Sequence, residues 1–338
     1  MSSTSKYAAA HISPQGAGDA RPTALQIVHD EDLVGKLKGK TFLITGCSAG
    51  IGVETARALS ATGANLYLPV RDVPNSQRNL ADILEPGRVE LMQMDLTSLA
   101  SVRHCAEEFL QKARERNHGL NALICNAGVM AIQSLTRTAD GFEAQFGTNH
   151  LGHFLLFNLL KDALLASSTP DFNSRVVMLS SSGHRVGGEI RFHDPNFHEE
   201  NSYTPWVAYA QSKTANIYMS NYIERHFGHE GLHANAVMPG GIWTPLARHM
   251  DQSSLATMKA DADLNKIIKS TEQGAATTVW AAVAKEWEGK GGHYLEDCQV
   301  AELVVEDPKP IDPGFAKHAF DEQAEERLWV ESEKMVGL

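Results

Sequence analysis

No Cys-x-x-Cys pair, no long apolar run and no excess of basic residues occurs in this chain. Its four cysteines, Cys47, Cys105, Cys125 and Cys298, are scattered over 338 residues. That spacing indicates neither a zinc cluster nor a disulfide framework, and a reducing, cytoplasmic compartment is expected. No apolar stretch approaches the roughly 20 residues of a membrane span, and no signal-like core follows Lys6. Acidic residues outnumber basic ones 41 to 30, for a formal net charge of -11. Both nucleic acid and an anionic membrane need a basic surface, so neither is an expected partner. Any anionic ligand must be held locally.

What is present is a hydrophobic content of 43% with 21% charged residues, as in a soluble globular protein of one large or two small domains. Residues 1 to about 22 are rich in Ser, Ala, Gly and Pro without hydrophobic periodicity, which predicts a mobile tail. Between Thr23 and Leu37 the apolar pattern predicts a short helix. Residues 1–37 thus read as an N-terminal extension, partly mobile, and 38–338 as one catalytic domain.

The first strand, Thr41-Phe42-Leu43-Ile44-Thr45, is continuously apolar, as in a parallel sheet covered on both faces. It runs into Gly46-Cys47-Ser48-Ala49-Gly50-Ile51-Gly52 and a helical pattern that stops at Gly63. A glycine-rich turn between strand and helix lets a diphosphate approach the backbone, where the helix N-terminus offers free N–H groups. The next strand, Asn65 to Val70, is followed by Arg71 where a carboxylate would favour a free ribose. The guanidinium favours a 2′-phosphate, hence NADP(H), although Asp72 is adjacent. Pro69 predicts that this strand stops early or lies at an edge.

Further strands are expected at Val89–Met94, closing with Asp95-Leu96, and at Leu120–Cys125, running into Asn126-Ala127-Gly128. A helix from Ala144 carries Asn149, a polar side chain among apolar neighbours that needs a buried partner or a function. His150 and His153 imitate a metal pair, but no third ligand is evident and no metal is expected. The strand Arg175–Leu179 leads into Ser180-Ser181-Ser182, hydroxyls placed where open α/β sheets bind ligands. Strand six, His233–Met238, precedes Pro239-Gly240-Gly241-Ile242-Trp243-Thr244. From about 245 to 270 a segment of low regularity with Leu246, Met250, Leu255 and Met258 is expected to form a substrate lid. A strand at His293–Leu295 completes seven, and a C-terminal extension begins near Asp307.

These pieces frame Tyr209-Ala210-Gln211-Ser212-Lys213. In a helix, Tyr209 and Lys213 are i and i+4 on one face. A lone pair of this kind is usually an ordinary surface feature. Held close, however, a cation favours the phenolate and brings a tyrosine toward acid/base work near neutrality.

Taken together, the chain resembles the short-chain dehydrogenase/reductase family, in its retinol-dehydrogenase-like and fungal secondary-metabolite branch. The resemblance covers roughly Lys38 to Cys298 and is carried by Thr45-Gly46-x-x-x-Gly50-Ile51-Gly52, Asp95-Leu96, Asn126-Ala127-Gly128, Asn149 to Phe154, Ser181, Tyr209-x-x-x-Lys213 and Pro239-Gly240, in family order. It implies an α/β, Rossmann-type doubly wound fold, with a seven-stranded parallel sheet in the order 3-2-1-4-5-6-7 and helices on both faces. It also implies catalysis by Asn149, Ser181, Tyr209 and Lys213. Tyr209 would exchange a proton with the substrate oxygen, Lys213 would lower the tyrosine pKa and bind the nicotinamide ribose, Ser181 would hydrogen-bond the substrate, and Asn149 would hold a relay water. Cofactor contacts are expected from Gly46, Ser48, Gly50, Ile51, Gly52, Arg71, Asp95, Leu96, Asn126, Ala127, Gly128, Pro239, Gly240, Ile242 and Thr244, besides Tyr209 and Lys213. Ala49 departs from the basic residue of many NADP-binding relatives. The expected substrate is a small apolar carbonyl or alcohol. Imine or conjugated C=C reduction and a non-catalytic NADP-binding regulator are the alternatives. A homodimer or homotetramer would form through the helices Asn149–Leu165 and Tyr209–Phe227.

Overall fold

A computed structural model describes residues 5–304 and 312–338. The first residues of the expected C-terminal extension, Asp307 to Pro310, lie outside the described residues. The strands are β1 (Thr41–Ile44), β2 (Asn65–Val70), β3 (Val89–Gln93), β4 (Ala122–Cys125), β5 (Ser174–Leu179), β6 (Leu232–Met238), β7 (Tyr294–Glu296) and β8 (Gln299–Val300). They form one sheet in the order β3-β2-β1-β4-β5-β6-β7-β8. The first seven are mutually parallel, and the expected order is observed.

The eighth strand extends the expected seven. It returns antiparallel beside β7, pairing Leu295 with Val300 and Glu296 with Gln299. The two linking residues, Asp297 and Cys298, have φ of 54° and 52°. Two consecutive left-handed residues are what a two-residue hairpin turn needs for its twist to match the strands. Asn-Gly or Asp-Gly would have advertised that turn, and Asp-Cys does not.

Alternation along the strands splits the core between two faces. Phe42, Ile44, Ala122 and Ile124 join one apolar cluster with Ile27, Leu59 and Trp280. Leu43, Leu123 and Cys125 join the other with Phe109, Phe154 and Tyr218. The first face is covered by helices Ala24–Asp30, Ile51–Ala61 and Ala276–Val283, and the second by Leu99–Arg116, Gly152–Ser167 and Pro205–Phe227.

Pro69 stands inside an interior strand, paired with Met92, contrary to the expected early stop or edge. Its carbonyl accepts from Gly46 N at 3.4 Å, so its backbone faces the side where β1 has already ended at Ile44. The missing N–H therefore deprives no ladder partner.

The C-terminal helix Glu322–Val336 lies across the Pro205–Phe227 helix. Trp329 stacks on Tyr222 at 3.8 Å and meets Phe154 edge-on at 4.8 Å. Part of the apolar face expected to join subunits is thus occupied by the chain itself. The N-terminal residues expected to be a mobile tail also make specific contacts. Tyr7 is buried, and the Arg21 guanidinium bonds backbone carbonyls some 250 residues away.

Candidate active site

The sequence brings the catalytic candidates to the carboxyl ends of β4 and β5 by three different local devices. The Pro205–Phe227 helix starts four residues before Tyr209, with Thr204 at its cap and Pro205 in its first turn, where proline's fixed φ and missing N–H cost nothing. Ser181 leaves β5 as the cap of a short turn, its hydroxyl accepting from Gly183 N at 3.0 Å. Asn149 occupies a turn, Gly147–Leu151, wound as a π-helix between two α-helical segments. Such widened turns are frequent at functional sites because they re-aim side chains.

Tyr209 and Lys213 are both buried, and the Lys213 ammonium lies 5.6 Å from the Tyr209 ring centre. Burial pushes the Tyr209 phenol up to about 12, against the neighbouring Ser181 side chain, which pulls the other way. Burial also takes Lys213 down to about 8. The phenol thus lies above its ordinary value and not below it as expected, because desolvation penalises the charged forms of both groups. The ammonium donates to Leu179 O at 3.0 Å, and Asn216 Nδ2 donates to the same carbonyl at 2.9 Å. Ser180, the neighbour of Ser181, is turned away and donates to Lys213 O at 2.9 Å.

The Asn149 side chain is engaged through both of its polar atoms. Its amide donates to Val129 O at 3.0 Å and Ser212 Oγ at 2.9 Å, while its oxygen accepts from Val129 N at 2.8 Å. The side chain thereby ties the loop after β4 to the Pro205–Phe227 helix. His153, one turn on, bonds Asn149 O through Nδ1 and Thr45 Oγ1 through Nε2, both at 2.9 Å. A carbonyl can only accept, so Nδ1 carries the proton and the Thr45 hydroxyl donates to Nε2. Burial keeps this imidazole neutral, down to about 4. Thr45 Oγ1 also accepts from Asn126 N at 3.1 Å and Ala127 N at 3.0 Å. Neither Thr45 nor His153 was singled out as a site residue, although the i+4 spacing of Asn149 and His153 was a usable signal. His150 instead reaches Ser332 Oγ at 2.9 Å. No group of three potential metal ligands occurs among the described residues.

The glycine turn fits a dinucleotide by what its residues lack. Gly46 and Gly50 have φ of 78° and 66°. A Cβ on Gly52 would lie 2.3 Å from Gly46 O and 2.5 Å from Asn126 Nδ2, which itself donates to Thr45 O at 2.9 Å. A Cβ on Gly128 would sit 3.2 Å from Asn149 Oδ1 and 3.6 Å from Lys213 Nζ. The absent side chain leaves that approach to the ammonium open. Ser48 accepts from Ser76 Oγ at 2.8 Å, and Ile51 and Ile242 both pack on Gly274.

Around this turn Arg71 and Asp72 are both exposed, and Asp72 caps helix Val73–Asn79 by accepting from Asn75 N at 3.0 Å. Asp95 is likewise engaged with Thr97 at 2.8 Å, and Leu96 is buried beneath Gly152. On the far side Thr244 lies 3.3 Å from where a Gly50 Cβ would be, and Lys269, unforeseen from sequence, donates to Pro239 O at 3.1 Å beside Gly240. A cavity of about 270 Å³ opens between Gly50, Glu54, Arg57 and Trp243 to Pro245. The segment expected to be irregular holds a short 3-10 turn, Pro245–His249, and helices Gln252–Ala260 and Ala262–Ile267. Of its apolar residues Met250 is buried and Met258 exposed.

Comparison with known proteins now decides the family. A family model described as enoyl-(acyl carrier protein) reductase matches residues 46–284. The short-chain dehydrogenase/reductase prx1 of Penicillium roqueforti is 50% identical over 333 residues, covering 98% of this chain and 95% of that one. The chain belongs to the short-chain dehydrogenase/reductase family. Human retinol dehydrogenase 13 is 37% identical over 89% of this chain and 86% of its own. Among solved structures, a putative uncharacterized protein from Mycobacterium paratuberculosis superposes with a TM-score of 0.67 at 30% identity, covering 94% and 98% of the two chains. The Pseudomonas aeruginosa RhlG/NADP complex superposes at 0.58 and 21% identity, covering 78% of this chain and 96% of that one, a likeness of fold. This short-chain dehydrogenase/reductase is an oxidoreductase of the Rossmann type in the retinol-dehydrogenase-like fungal branch, and members of its family use nicotinamide cofactors. No helix among its described residues is long and apolar enough to cross a membrane.

Proposed function

We propose that this protein is an NADPH-dependent carbonyl reductase, or an alcohol dehydrogenase in reverse, acting on an apolar ketone, aldehyde or secondary alcohol. The observation that carries the reading is the buried Tyr209 phenol, beside the Ser181 side chain and one helical turn from Lys213. A bound nicotinamide dinucleotide supplies the hydride equivalent. At neutral pH the Tyr209 phenol is in its protonated form, as a donor to a carbonyl oxygen must be. Ser181 offers a second hydroxyl to the same oxygen, where it stabilises developing negative charge. Lys213 is held by Leu179 O on the side open past Gly128, and Asn149 fixes that loop against the helix. Arg71, with Asp72 engaged in capping, favours a phosphate-bearing ribose. Trp206, 44% exposed and edge-on to Tyr209 at 6.1 Å, presents an apolar surface beside the proton donor.

The test is an NADPH-depletion screen over ketones and aldehydes with chiral analysis of the products. Tyr209→Phe should reduce turnover about 10³-fold or more, within the range of general acid catalysis, while NADPH still binds. Full activity in that variant would falsify the assignment. A saturated product from an enone would instead favour conjugated C=C reduction.

A further inference from the structure

We propose that the N-terminal segment is a tether that fixes the substrate lid and the loop after β6, with Arg21 as its positioning residue. This rests on reading residues 245–270 as the lid of a reductase site.

The two lid helices, Gln252–Ala260 and Ala262–Ile267, contain no buried residue. Without a core of their own, their placement is set by what holds their ends. At the leading end Thr244 abuts Gly50, at 3.3 Å from an added Cβ. At the trailing end stands Arg21, only 4% exposed. Its guanidinium donates to Ile267 O and Ile268 O, each at 2.6 Å, and to Gly16 O at 3.0 Å, while Nε meets Asp19 Oδ1 at 2.8 Å. The carbonyls at a helix C-terminus have no intrahelical donor, and here a residue of the N-terminal segment supplies one. Gly16 N adds a bond to Lys266 O at 2.8 Å.

From the other side Gln273 secures the same segment. Its amide donates to Asp19 O and Arg21 O, both at 3.1 Å, and its oxygen accepts from Gly18 N at 2.9 Å. The path continues through Lys269. Its backbone N–H donates to Gly241 O at 2.8 Å, and its ammonium to Pro239 O at 3.1 Å and Asp297 Oδ1 at 2.6 Å. His11 Nδ1 lies 3.2 Å from the same Asp297 oxygen. Gly16 and Arg21 thus hold residues 266–268 directly, His11 meets Lys269 through Asp297, and Lys269 holds the Pro239–Gly241 backbone.

The experiment compares wild type with Arg21→Met and Arg21→Lys in the full chain. It follows proteolytic cleavage within residues 245–267, thermal midpoint, and kcat and KM for NADPH and the carbonyl substrate. Arg21→Met should speed lid cleavage and raise KM about tenfold with kcat within about threefold, as loosening a lid anchor does. Arg21→Lys should recover part of each. Should Arg21→Met fail to fold, Gln273→Met loosens the same segment without stranding a buried charge, and the same cleavage and KM changes are expected. Native cleavage and native KM in a folded variant would overturn the proposal. So would a lowered midpoint with cleavage and KM unchanged, which marks a purely structural residue. Lid cleavage needs no substrate, so it reads the tether even if Tyr209→Phe disproves the reductase assignment.

Discussion

Lys213 and Tyr209 share one helix face with the ammonium 5.6 Å from the ring, yet burial moves their ionisations apart, to about 8 and about 12. Burial penalises the charged form of each. Of the two, the lysine therefore has the ionisation nearer neutrality. kcat/KM for carbonyl reduction, which reports the free enzyme, should be flat at pH 6–7 and fall as the pH passes about 8. In Lys213→Arg, whose charge persists beyond pH 12, the falling limb should leave that range even if the rate is lower. A limb still near 8 in that variant would assign it to another group.

The adjacent Arg71 and Asp72 separate by task, and two variants distinguish them. Arg71→Asp should raise KM for NADPH far more than for NADH; equal effects would show that Arg71 does not read the phosphate. Asp72→Ala removes the side chain that accepts from Asn75 N. It should cost about 1 kcal/mol of stability, the usual value of an N-cap, and leave the NADPH to NADH preference unchanged. Chemical denaturation together with paired cofactor kinetics checks both.

Gly52→Ala should abolish dinucleotide binding and lower stability by about 1–3 kcal/mol, the usual cost of overpacking. Its Cβ would enter contact at 2.3 Å with Gly46 O, which is backbone and cannot swing aside. Fluorescence titration with NADPH and a urea midpoint measure the two effects. Native binding in the variant would mean that the turn opens more readily than its close contacts allow.

His184 should remain neutral with its proton on Nδ1 from pH 8 to about 5. Its Nδ1 faces Ser181 O at 2.6 Å and its Nε2 accepts from Ala316 N at 3.0 Å, which fixes the tautomer. Burial takes the ring down to about 4. The unfolded chain binds this proton near pH 6.5, so His184 contributes a pH-dependent stability present above 6.5 and lost as the pH falls toward 4. Imidazole nitrogen chemical shifts read the tautomer. Protonation of the folded ring near pH 6.5 would contradict it.

Much of the fold was legible because its signals are local. The alternation of Phe42, Leu43 and Ile44 between the two core faces follows from an apolar run in a two-sided sheet, and Gly46, Gly50 and Gly52 mark a turn whatever surrounds it. The chain order of Asn149, Ser181, Tyr209 and Lys213 pointed to one candidate site because strand ends in a doubly wound sheet converge on one edge. The hairpin into β8 escaped notice because its left-handed residues are Asp297 and Cys298, and the interior place of Pro69 depends on where β1 happens to end.

By itself, then, the sequence determined the sheet, the glycine turn and the residues that meet around Tyr209, since periodicity and turn chemistry need no distant partner. Tertiary structure alone decided how those residues are employed. It engaged Asn149 with Val129 and Ser212 and tied His153 to Thr45. It set the Tyr209 and Lys213 ionisations by burial, and it brought Arg21 to the carbonyls of Ile267 and Ile268. Each depends on desolvation or on hydrogen bonds between segments far apart in the chain, where no local pattern can indicate which donor will find which acceptor.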